Sequence, residues 1–320
     1  MRWTDKRKIF TPGDYNLPGG CKEFAQSPQA LVFEDYVRIY FSTRQRDPKN
    51  GKFLSHIAYA DFDKNFEKVL RISDKPIISL GGLGCFDEHG IFPFSPTKVG
   101  DKIYAYTCGW SRRVSVSVET STGLAFSDDG GNTFKKYGTG PILTSSLHEP
   151  VLVGDSFVRQ YNGLFHMWYI FGTGWLEADD SEPPARIYKI GYAVSKDGIN
   201  WNKKEGKEII ENVLGENECQ ALPTVVEIAG RYHMYFCYRY PSDFRKNAAR
   251  GYRLGYAYSD DLENWTRDDS NSGIQPSETG WDSEMMCYPN IFKCDDNVWL
   301  LYNGNEFGRH GFGVARLEQT

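Results

Sequence analysis

Three glutamates in this chain lie five residues before a proline that opens a predicted strand: Glu23, Glu218 and Glu284. If these strands surround one axis, the carboxylates share a narrow opening, where mutual repulsion keeps some protonated and leaves others ionised. Cleavage of a glycosidic bond uses this combination of a protonated carboxyl and a carboxylate. We therefore predict Glu218 as general acid, Asp87 as general base, and Glu284 as the carboxylate that keeps Glu218 protonated.

Polar and aromatic side chains near the same strands form a second set of candidates. Arginines can bind a carboxylate or a phosphate with two parallel hydrogen bonds, and tryptophans can stack on sugar rings. The predicted substrate-binding residues are Gln26, Arg44, His89, Trp110, Glu149, Arg239, Trp281, Asp282, Asn303 and Asn305. For each of them, an ion pair or hydrogen bond that only holds the fold together is the alternative.

The sequence contains neither a CxxC nor an HExxH motif, so no metal site is predicted and no other cofactor is implied. An ion held in a central pore near His310 stays open as an alternative.

A short motif of a small residue, an aromatic or apolar residue and a second small residue recurs five times. Its final small residue occupies positions 60, 127, 195, 259 and 315, which are 67, 68, 64 and 56 residues apart. Three copies continue into an Asp-containing turn and an aromatic residue, at 127–134, 195–201 and 259–265. A repeat of this length indicates a propeller-like array of similar units.

A proline followed by an apolar strand, a polar turn and an aromatic-rich strand also recurs, beginning at Pro28, Pro96, Pro150, Pro223 and Pro289. Each copy predicts a β-hairpin. The repeated motif supplies a third strand, and short apolar segments such as 76–78 and 141–143 are predicted as fourth strands. We predict an all-β fold, a single five-bladed β-propeller over residues 1–320 whose last blade is completed by the N-terminal segment. A pair of open β-sandwich sheets is the alternative.

The composition narrows the partners and the compartment. The net charge of -5, from 37 basic and 42 acidic residues without a long single-sign run, argues against nucleic acid as a partner. No apolar stretch has membrane-spanning length and the first residues lack a signal-peptide core, so we predict a cytoplasmic protein without a membrane partner. The seven scattered cysteines fit reduced thiols better than a disulfide framework.

The five repeats, the S-x-D-G-x-x-W turn at 195–201 and the acidic residues before the inner strands resemble the five-bladed glycosidase superfamily. That group includes family 43 arabinanases and xylosidases, family 32 fructosidases and family 130 mannoside phosphorylases. Segments 280–285, 302–305 and 311–313 look like family-43-like or family-32-like proteins of bacterial glycan loci. The resemblance implies an acid, a base and a third carboxylate on separate blades. The aspartate expected before the first proline is absent, because Phe24, Ala25, Gln26 and Ser27 stand there.

We therefore predict an enzyme that hydrolyses a glycosidic bond in a carbohydrate. A phosphorylase, or an enzyme acting on an activated sugar such as a sugar nucleotide in glycan biosynthesis, would instead use arginines to hold phosphate: Arg44, Arg112, Arg113 or Arg239. A non-catalytic carbohydrate-binding propeller fits the missing aspartate. The turn at 127–134 also matches the sialidase Asp-box, which makes a sialidase a weaker alternative. Two central carboxylates roughly 5 to 9.5 Å apart would favour a glycosidase.

Overall fold

The computed structural model of the chain describes residues 1–177 and 183–318. Within them, strands form nearly all of the regular structure, which confirms the all-β class. The helices of this part of the chain are five short 3-10 helices: Pro12–Asp14, Pro18–Gly20, Ala248–Arg250, Asp269–Asn271 and Asn305–Gly308. None of the described helices is long and apolar enough to cross a membrane. All seven cysteines are free thiols.

Consecutive antiparallel strands form units of four. The chain begins with β1 (Trp3–Phe10). Unit 1 contains β2 (Gln26–Val32), β3 (Val37–Arg46), β4 (Phe53–Phe62) and β5 (Val69–Ile72). Unit 2 contains β6 (Gly90–Val99), β7 (Lys102–Arg112), β8 (Val118–Ser127) and β9 (Lys135–Lys136). Unit 3 contains β10 (Val153–Tyr161), β11 (Leu164–Leu176), β12 (Ala185–Ser195) and β13 (Asn202–Lys203). Unit 4 contains β14 (Cys219–Ile228), β15 (Arg231–Arg239), β16 (Arg253–Ser259) and β17 (Thr266–Arg267). Unit 5 contains β18 (Cys287–Cys294), β19 (Asn297–Asn303), β20 (Phe312–Leu317) and, as its fourth strand, β1.

The two ends of the chain meet in unit 5. Strand β1 pairs antiparallel with β20, so that Trp3 lies opposite Leu317 and Phe10 lies opposite Phe312. This pairing confirms the prediction that the N-terminal segment supplies the missing strand. The first strand of each unit, called here the inner strand, contacts the inner strand of the next unit, and β18 contacts β2 in turn.

The repeated motif forms the third strand of every unit, as predicted, and the Asp-containing turn follows it. In unit 2 the Ser127 hydroxyl donates a hydrogen bond to Asp129 (2.7 Å) and accepts one from the Gly131 backbone N–H (2.9 Å). The same turn occurs at Ser195 and Ser259. In units 2 to 4 the fourth strand begins one residue after the aromatic residue that closes the turn.

The predicted fourth strands at 76–78 and 141–143 were therefore placed too late in the chain. The structure gives these residues connecting roles: the Ile77 N–H donates to the Ile57 carbonyl, and Leu143 forms an isolated bridge with Thr122. Ile77, Ile78 and Leu143 are each less than 9% exposed. They are apolar because they pack in the core between neighbouring units.

Neighbouring units are joined by hydrogen bonds from buried side chains. The Tyr40 hydroxyl of unit 1 donates to the Gly131 carbonyl of unit 2, and the Tyr106 hydroxyl of unit 2 donates to the Gly198 carbonyl of unit 3, both at 2.9 Å. Between units 5 and 1, Asn290 Oδ1 accepts from the Ala30 N–H at 2.9 Å. The Asp-containing turn thus has a second role, because it offers a carbonyl to the preceding unit.

Four connecting segments carry a buried carboxylate that pairs with a cation on the fourth strand of the unit that follows. The pairs are Asp87–Lys136 (2.5 Å), Glu149–Lys203 (2.6 Å), Glu218–Arg267 (2.6 Å) and Asp282–Lys6 (3.4 Å). Each of these carboxylates is at most 1% exposed. Because a buried charge requires a partner, each pair fixes its connecting segment to the outer strand of a unit.

The sequence predicts catalytic roles for Asp87 and Glu218 and substrate binding for Glu149 and Asp282, and the structure places all four in these pairs instead. Glu218 pairs with the fourth strand and also accepts hydrogen bonds from the Val213 and Leu214 N–H groups, both at 2.9 Å. Glu149 likewise accepts from the Tyr169 hydroxyl (2.6 Å), and Asp282 from the Tyr302 hydroxyl (3.0 Å). Glu149, Glu218 and Asp282 thus bind partners away from the axis. Asp87 has only its contact with Lys136, and its Oδ1 is buried without a hydrogen-bond partner among the described residues. The predicted ring of axial carboxylates does not form from these four residues.

We expect Glu218→Gln to lower the free energy of unfolding by roughly 1.5–3 kcal/mol, because the buried Arg267 guanidinium loses the carboxylate at 2.6 Å and keeps only Asp269, at 2.9 Å, as an ionic partner. The matched control is Asp260→Asn, which removes the partner of Arg231 in an exposed pair and should cost less than about 1 kcal/mol. Urea denaturation at pH 7 measures both. If Glu218→Gln is as stable as the control, the carboxylate does not hold the fold in the way described.

Candidate functional site

Every inner strand is interrupted by a β-bulge close to its first residue. Register shifts fall between Gln26 and Gln29, and at the corresponding places in the four other inner strands. The first bulged residues are Ser27, Phe92, Asp155, Leu222 and Tyr288. All but Phe92 adopt a left-handed backbone conformation, with φ between 48° and 56°. Such non-glycine conformations cost free energy and concentrate at functional sites.

The bulged residues of different units meet one another. The rings of Phe92 and Tyr288, from units 2 and 5, are in edge contact with centroids 5.1 Å apart. The backbone N–H of Leu222, from unit 4, lies close enough to the carboxylate of Asp155 in unit 3 to lower its pKa. Inner strands that lie far apart in sequence thus bring these side chains to one centre, which we call the bulge centre.

Asp155 is the one carboxylate among the five bulged residues. Burial raises the pKa of Asp155 to about 7, although the neighbouring Arg186 guanidinium and the Leu222 N–H both oppose the rise. Asp155 is buried, with 8% of its surface exposed. A carboxyl group with a pKa near neutrality can donate a proton to a leaving group and later regain it.

Four arginines surround the bulge centre: Arg44 at the end of β3, Arg186 at the start of β12, Arg239 at the end of β15, and Arg245 in the segment 240–252. Burial lowers the pKa of Arg44, and the nearby Arg245 and Arg186 lower it further, whereas Tyr288 opposes them. Burial and the neighbouring Arg239 and Arg186 likewise lower the pKa of Arg245. The arginines are therefore close enough to repel one another.

Arg239 is held rigidly by neutral groups. It is 3% exposed, and it donates to the Tyr188 hydroxyl (2.8 Å) and to the Tyr240 carbonyl (2.7 Å). Its guanidinium lies 3.6 Å from the centroid of the Phe244 ring. Stacking on an aromatic ring leaves the edge of the guanidinium available to a planar acceptor. The Nε–H of Arg239 is buried and has no hydrogen-bond partner among the described residues.

Arg44 has the same feature on the opposite side of the centre. Its Nε–H is buried without an acceptor in the described part of the chain, and its guanidinium lies 4.7 Å from the centroid of the Phe24 ring. Within residues 1–177 and 183–318, none of the four arginines forms an ion pair with a carboxylate. An unpaired cluster of this kind favours binding of an anion with several acceptor oxygens, such as phosphate.

Gln26 is a predicted binding residue that the structure places beside this centre. Its Nε2 donates to the Phe307 carbonyl (2.5 Å), while its Oε1 is buried and has no partner among the described residues. The oxygen is therefore available to accept a hydrogen bond from a ligand hydroxyl. Arg44 and Arg239, also predicted, belong to the arginine cluster itself.

His89 and Trp110 lie at the rim between units 1 and 2. Their rings stack with centroids 5.9 Å apart, and His89 Nδ1 faces the Arg112 backbone N–H at 3.4 Å. Both side chains are half-buried, so one side of the pair remains accessible. The structure does not give either ring a contact with the bulge centre.

Other predicted residues hold the loops of unit 5. Asn303 is fully buried and connects unit 5 to the start of unit 1. Its side chain accepts a hydrogen bond from the Ser27 N–H (2.7 Å) and donates one to the Ala25 carbonyl (2.8 Å). Asn305 accepts from the Glu284 N–H at 2.8 Å, and the Trp281 ring stacks on Tyr302 with centroids 5.0 Å apart. These contacts are structural, which was the alternative interpretation for all three.

Glu284 and His310 are exposed and lie apart from the predicted sites. Glu284 forms its described hydrogen bonds through its backbone only and makes no contact with Glu218, so the predicted carboxylate pair is not assembled. His310 contacts Glu306 at 3.0 Å on the surface rather than in a pore. In the described residues, no cluster of three or more His, Cys, Asp or Glu side chains could hold a metal ion.

Comparison with known proteins places the chain among relatives of similar length. No protein-family model matches it. It is 32% identical over 327 residues to the uncharacterized proteins Rv1502 and MT1551 of Mycobacterium tuberculosis, covering 99% of this chain and 100% of each relative. It is 36% identical over 154 residues to a 1,2-beta-oligomannan phosphorylase of Thermoanaerobacter sp. strain X514, a match that covers 44% of this chain and 46% of that protein.

Solved structures share the fold over nearly the whole chain. A complex of BT0996 with RGII superposes with a TM-score of 0.72 at 16% identity, covering 99% of this chain and 92% of the other protein. A thermostable family-43 glycoside hydrolase has a TM-score of 0.66 at 13% identity, with coverage of 95% and 93%. The beta-1,2-mannobiose phosphorylase of Listeria innocua, in complex with beta-1,2-mannobiose, has a TM-score of 0.66 at 12% identity, with coverage of 99% and 96%. The chain thus has the propeller-like fold of these carbohydrate-active enzymes, and by its 32% identity over nearly its full length it belongs to the same family as Rv1502 and MT1551.

Proposed function

We propose that the five units close into a five-bladed propeller and that the protein cleaves a glycosidic bond by phosphorolysis at the bulge centre. The observation that carries the proposal is that one buried carboxyl group, Asp155, lies at the same centre as four arginines. None of these arginines forms an ion pair with a carboxylate in the described residues. This is a site for one proton donor and one polyanion.

In the proposed reaction, the arginine cluster orients inorganic phosphate so that one of its oxygens attacks the anomeric carbon. The new bond joins that carbon to the phosphate oxygen while the glycosidic C–O bond breaks. Asp155 donates its proton to the departing sugar oxygen, and it regains a proton from solvent after the products leave. The products are a sugar 1-phosphate and a saccharide shortened by one residue. The guanidinium groups lower the barrier by holding the attacking dianion in place.

Phosphorolysis is favoured over the hydrolysis predicted from the sequence because hydrolysis requires a second carboxylate. That group must activate water or form a covalent intermediate, and it lies roughly 5 to 9.5 Å from the acid. Asp87 and Glu218 are both occupied by cations at the outer strands, whereas phosphate brings its own nucleophile. The partial match to an oligomannan phosphorylase supports the same class and makes β-1,2-linked mannosides the first substrates to test.

The test is cleavage with and without phosphate. We expect purified protein incubated with β-1,2-mannobiose and longer β-1,2-mannosides to release a sugar 1-phosphate only when inorganic phosphate is present. Phosphate binding is measured separately by calorimetry, with Arg239→Gln expected to weaken it by at least about tenfold, since a charge-assisted hydrogen bond is worth roughly 1.5–3 kcal/mol. Release of free sugar at the same rate without phosphate would identify a hydrolase instead. Absence of phosphate binding would overturn the proposal whatever the sugar.

Asp155→Asn should reduce turnover about 10²–10⁴-fold, the usual contribution of a general acid, while phosphate binding is retained. The turnover of the unaltered protein should fall as the pH rises through about 7, because Asp155 then loses the proton it must donate. Asp260→Asn, which lies in an exposed ion pair, is the control and should leave the pH profile unchanged. An Asp155→Asn variant with full turnover would remove Asp155 from the mechanism.

The same substitution has a signature in stability. The carboxyl pKa is raised on folding from an ordinary value near 3.9 to about 7, so the native state of the unaltered protein loses stability as the pH rises between these values. The asparagine variant lacks this loss. The stability of Asp155→Asn relative to the unaltered protein should therefore increase by roughly 2–3 kcal/mol from pH 5 to pH 8. Urea denaturation at the two pH values measures it, and a difference independent of pH would show that the carboxyl is not buried in this way.

A further inference from the structure

A groove lies on unit 1 beside Arg44, one of the four arginines of the cluster. It runs between the 3-10 helix Pro18–Gly20 and the ends of β3 and β4, and its volume is about 490 Å³. Small-molecule sites commonly fall between about 300 and 1,000 Å³, so the groove can take one or two sugar residues. Its lining includes Gly19, Lys22, Arg44, Arg46 and Phe53. Arg44 belongs to both the groove lining and the arginine cluster, so the groove lies next to the bulge centre.

The walls of the groove are fixed by close packing. Gly19 has a φ of 71°, and a Cβ atom there would lie 2.7 Å from the Gln45 side-chain oxygen. The positive φ favours glycine at this position, and a larger residue would also displace the end of the Gln45 side chain. On the other wall, the Arg46 guanidinium lies 4.4 Å from the centroid of the Phe53 ring and donates to the Gly51 carbonyl at 2.9 Å. These contacts leave further donors of the exposed Arg46 guanidinium without a partner among the described residues.

The cations of the groove have only neutral partners among the described residues. Lys22 donates to the Tyr15 carbonyl (3.1 Å), and Arg46 donates to a carbonyl as noted. The one carboxylate in the lining, Glu23, is paired with Arg309 at 2.7 Å. The groove therefore carries positive charge that the protein does not neutralise. A phosphate bound at the bulge centre leaves this charge untouched, because Lys22 and Arg46 lie in the groove rather than in the cluster.

We propose that this groove binds a sugar residue that carries an anionic group, either a carboxylate or a phosphate ester, and that Arg46 and Lys22 bind that group. The inference rests on the proposed function in one respect, since it takes this sugar to be part of the saccharide whose bond is cleaved next to Asp155. Phe53 and Phe24, whose ring centroids are 5.6 Å apart, supply the apolar surface for the sugar ring. Among the saccharides cleaved at the bulge centre, those that carry an acidic residue are then bound more tightly than neutral ones.

The test compares matched acidic and neutral sugars by calorimetry, in buffer with enough inorganic phosphate to saturate the bulge centre. Glucuronate is paired with glucose, and mannose 6-phosphate with mannose, so that the two arms distinguish a carboxylate from a phosphate ester. We expect at least one acidic sugar to bind tenfold or more tightly than its neutral counterpart. Arg46→Gln should remove that preference without weakening the neutral sugar, whereas Phe53→Ala should weaken both.

The matched control is Lys102→Gln, which removes one positive charge from an exposed pair with Asp128 at the other end of the strands and should change neither affinity. Equal affinity for acidic and neutral sugars, or a preference that survives Arg46→Gln, would overturn the inference. The two proposals fail separately. If phosphate does not bind but an acidic sugar binds through Arg46, phosphorolysis is wrong and the groove assignment stands; if phosphate binds and drives cleavage but the acidic preference is absent, the reverse holds.

Discussion

A charge that leaves water needs a partner, and this chain meets the requirement in opposite ways at the edge and at the centre of its units. At the edge, four buried carboxylates each pair with a lysine or an arginine of an outer strand. At the centre, guanidinium groups are held by aromatic rings and carbonyl oxygens, with one carboxyl group among them. The central arginines bond only to neutral groups of the described residues, so their charge stays available to an anionic ligand.

Much of the fold could be predicted from the sequence because it is set by local chemistry. The Asp-containing turns recur as a serine hydroxyl and an aspartate that bond to the backbone within five residues, so the short pattern is sufficient to find them. The third strands follow from the same pattern. The pairing of β1 with β20 was also predictable, since Trp3 occupies the place that Trp201 takes after the turn in unit 3. The fourth strands were misplaced because strands of four residues (β5) and two residues (β9) leave almost no pattern, whereas the apolar connecting segments 76–78 and 141–143 do.

The site was harder to predict because the bulged residues do not stand at a constant distance from the prolines that mark the repeats in the sequence. The bulged residues stand at 27, 92, 155, 222 and 288, which are 65, 63, 67 and 66 apart. The prolines used to align the repeats, 28, 96, 150, 223 and 289, are 68, 54, 73 and 66 apart. Unit 3 has Ser156 where other units have a proline, so Asp155 was passed over, and Arg186 and Arg245 were missed with it. The nearly even spacing of the bulged residues, 63 to 67 residues, is the sequence signal that could have identified Asp155. No spacing could show that Glu218 pairs with Arg267, 49 residues later.

The position of Arg186 connects the two halves of the proposed chemistry. In the free protein, its positive charge opposes the rise in the pKa of Asp155 that burial causes. An anion bound to the arginines neutralises this opposing charge and adds a negative charge nearby, and both changes favour the protonated form of Asp155. Binding of phosphate therefore leaves the carboxyl group more firmly protonated at the moment when the departing sugar oxygen needs a proton. The arginine cluster and Asp155 therefore act together, because the phosphate that the arginines bind keeps Asp155 protonated.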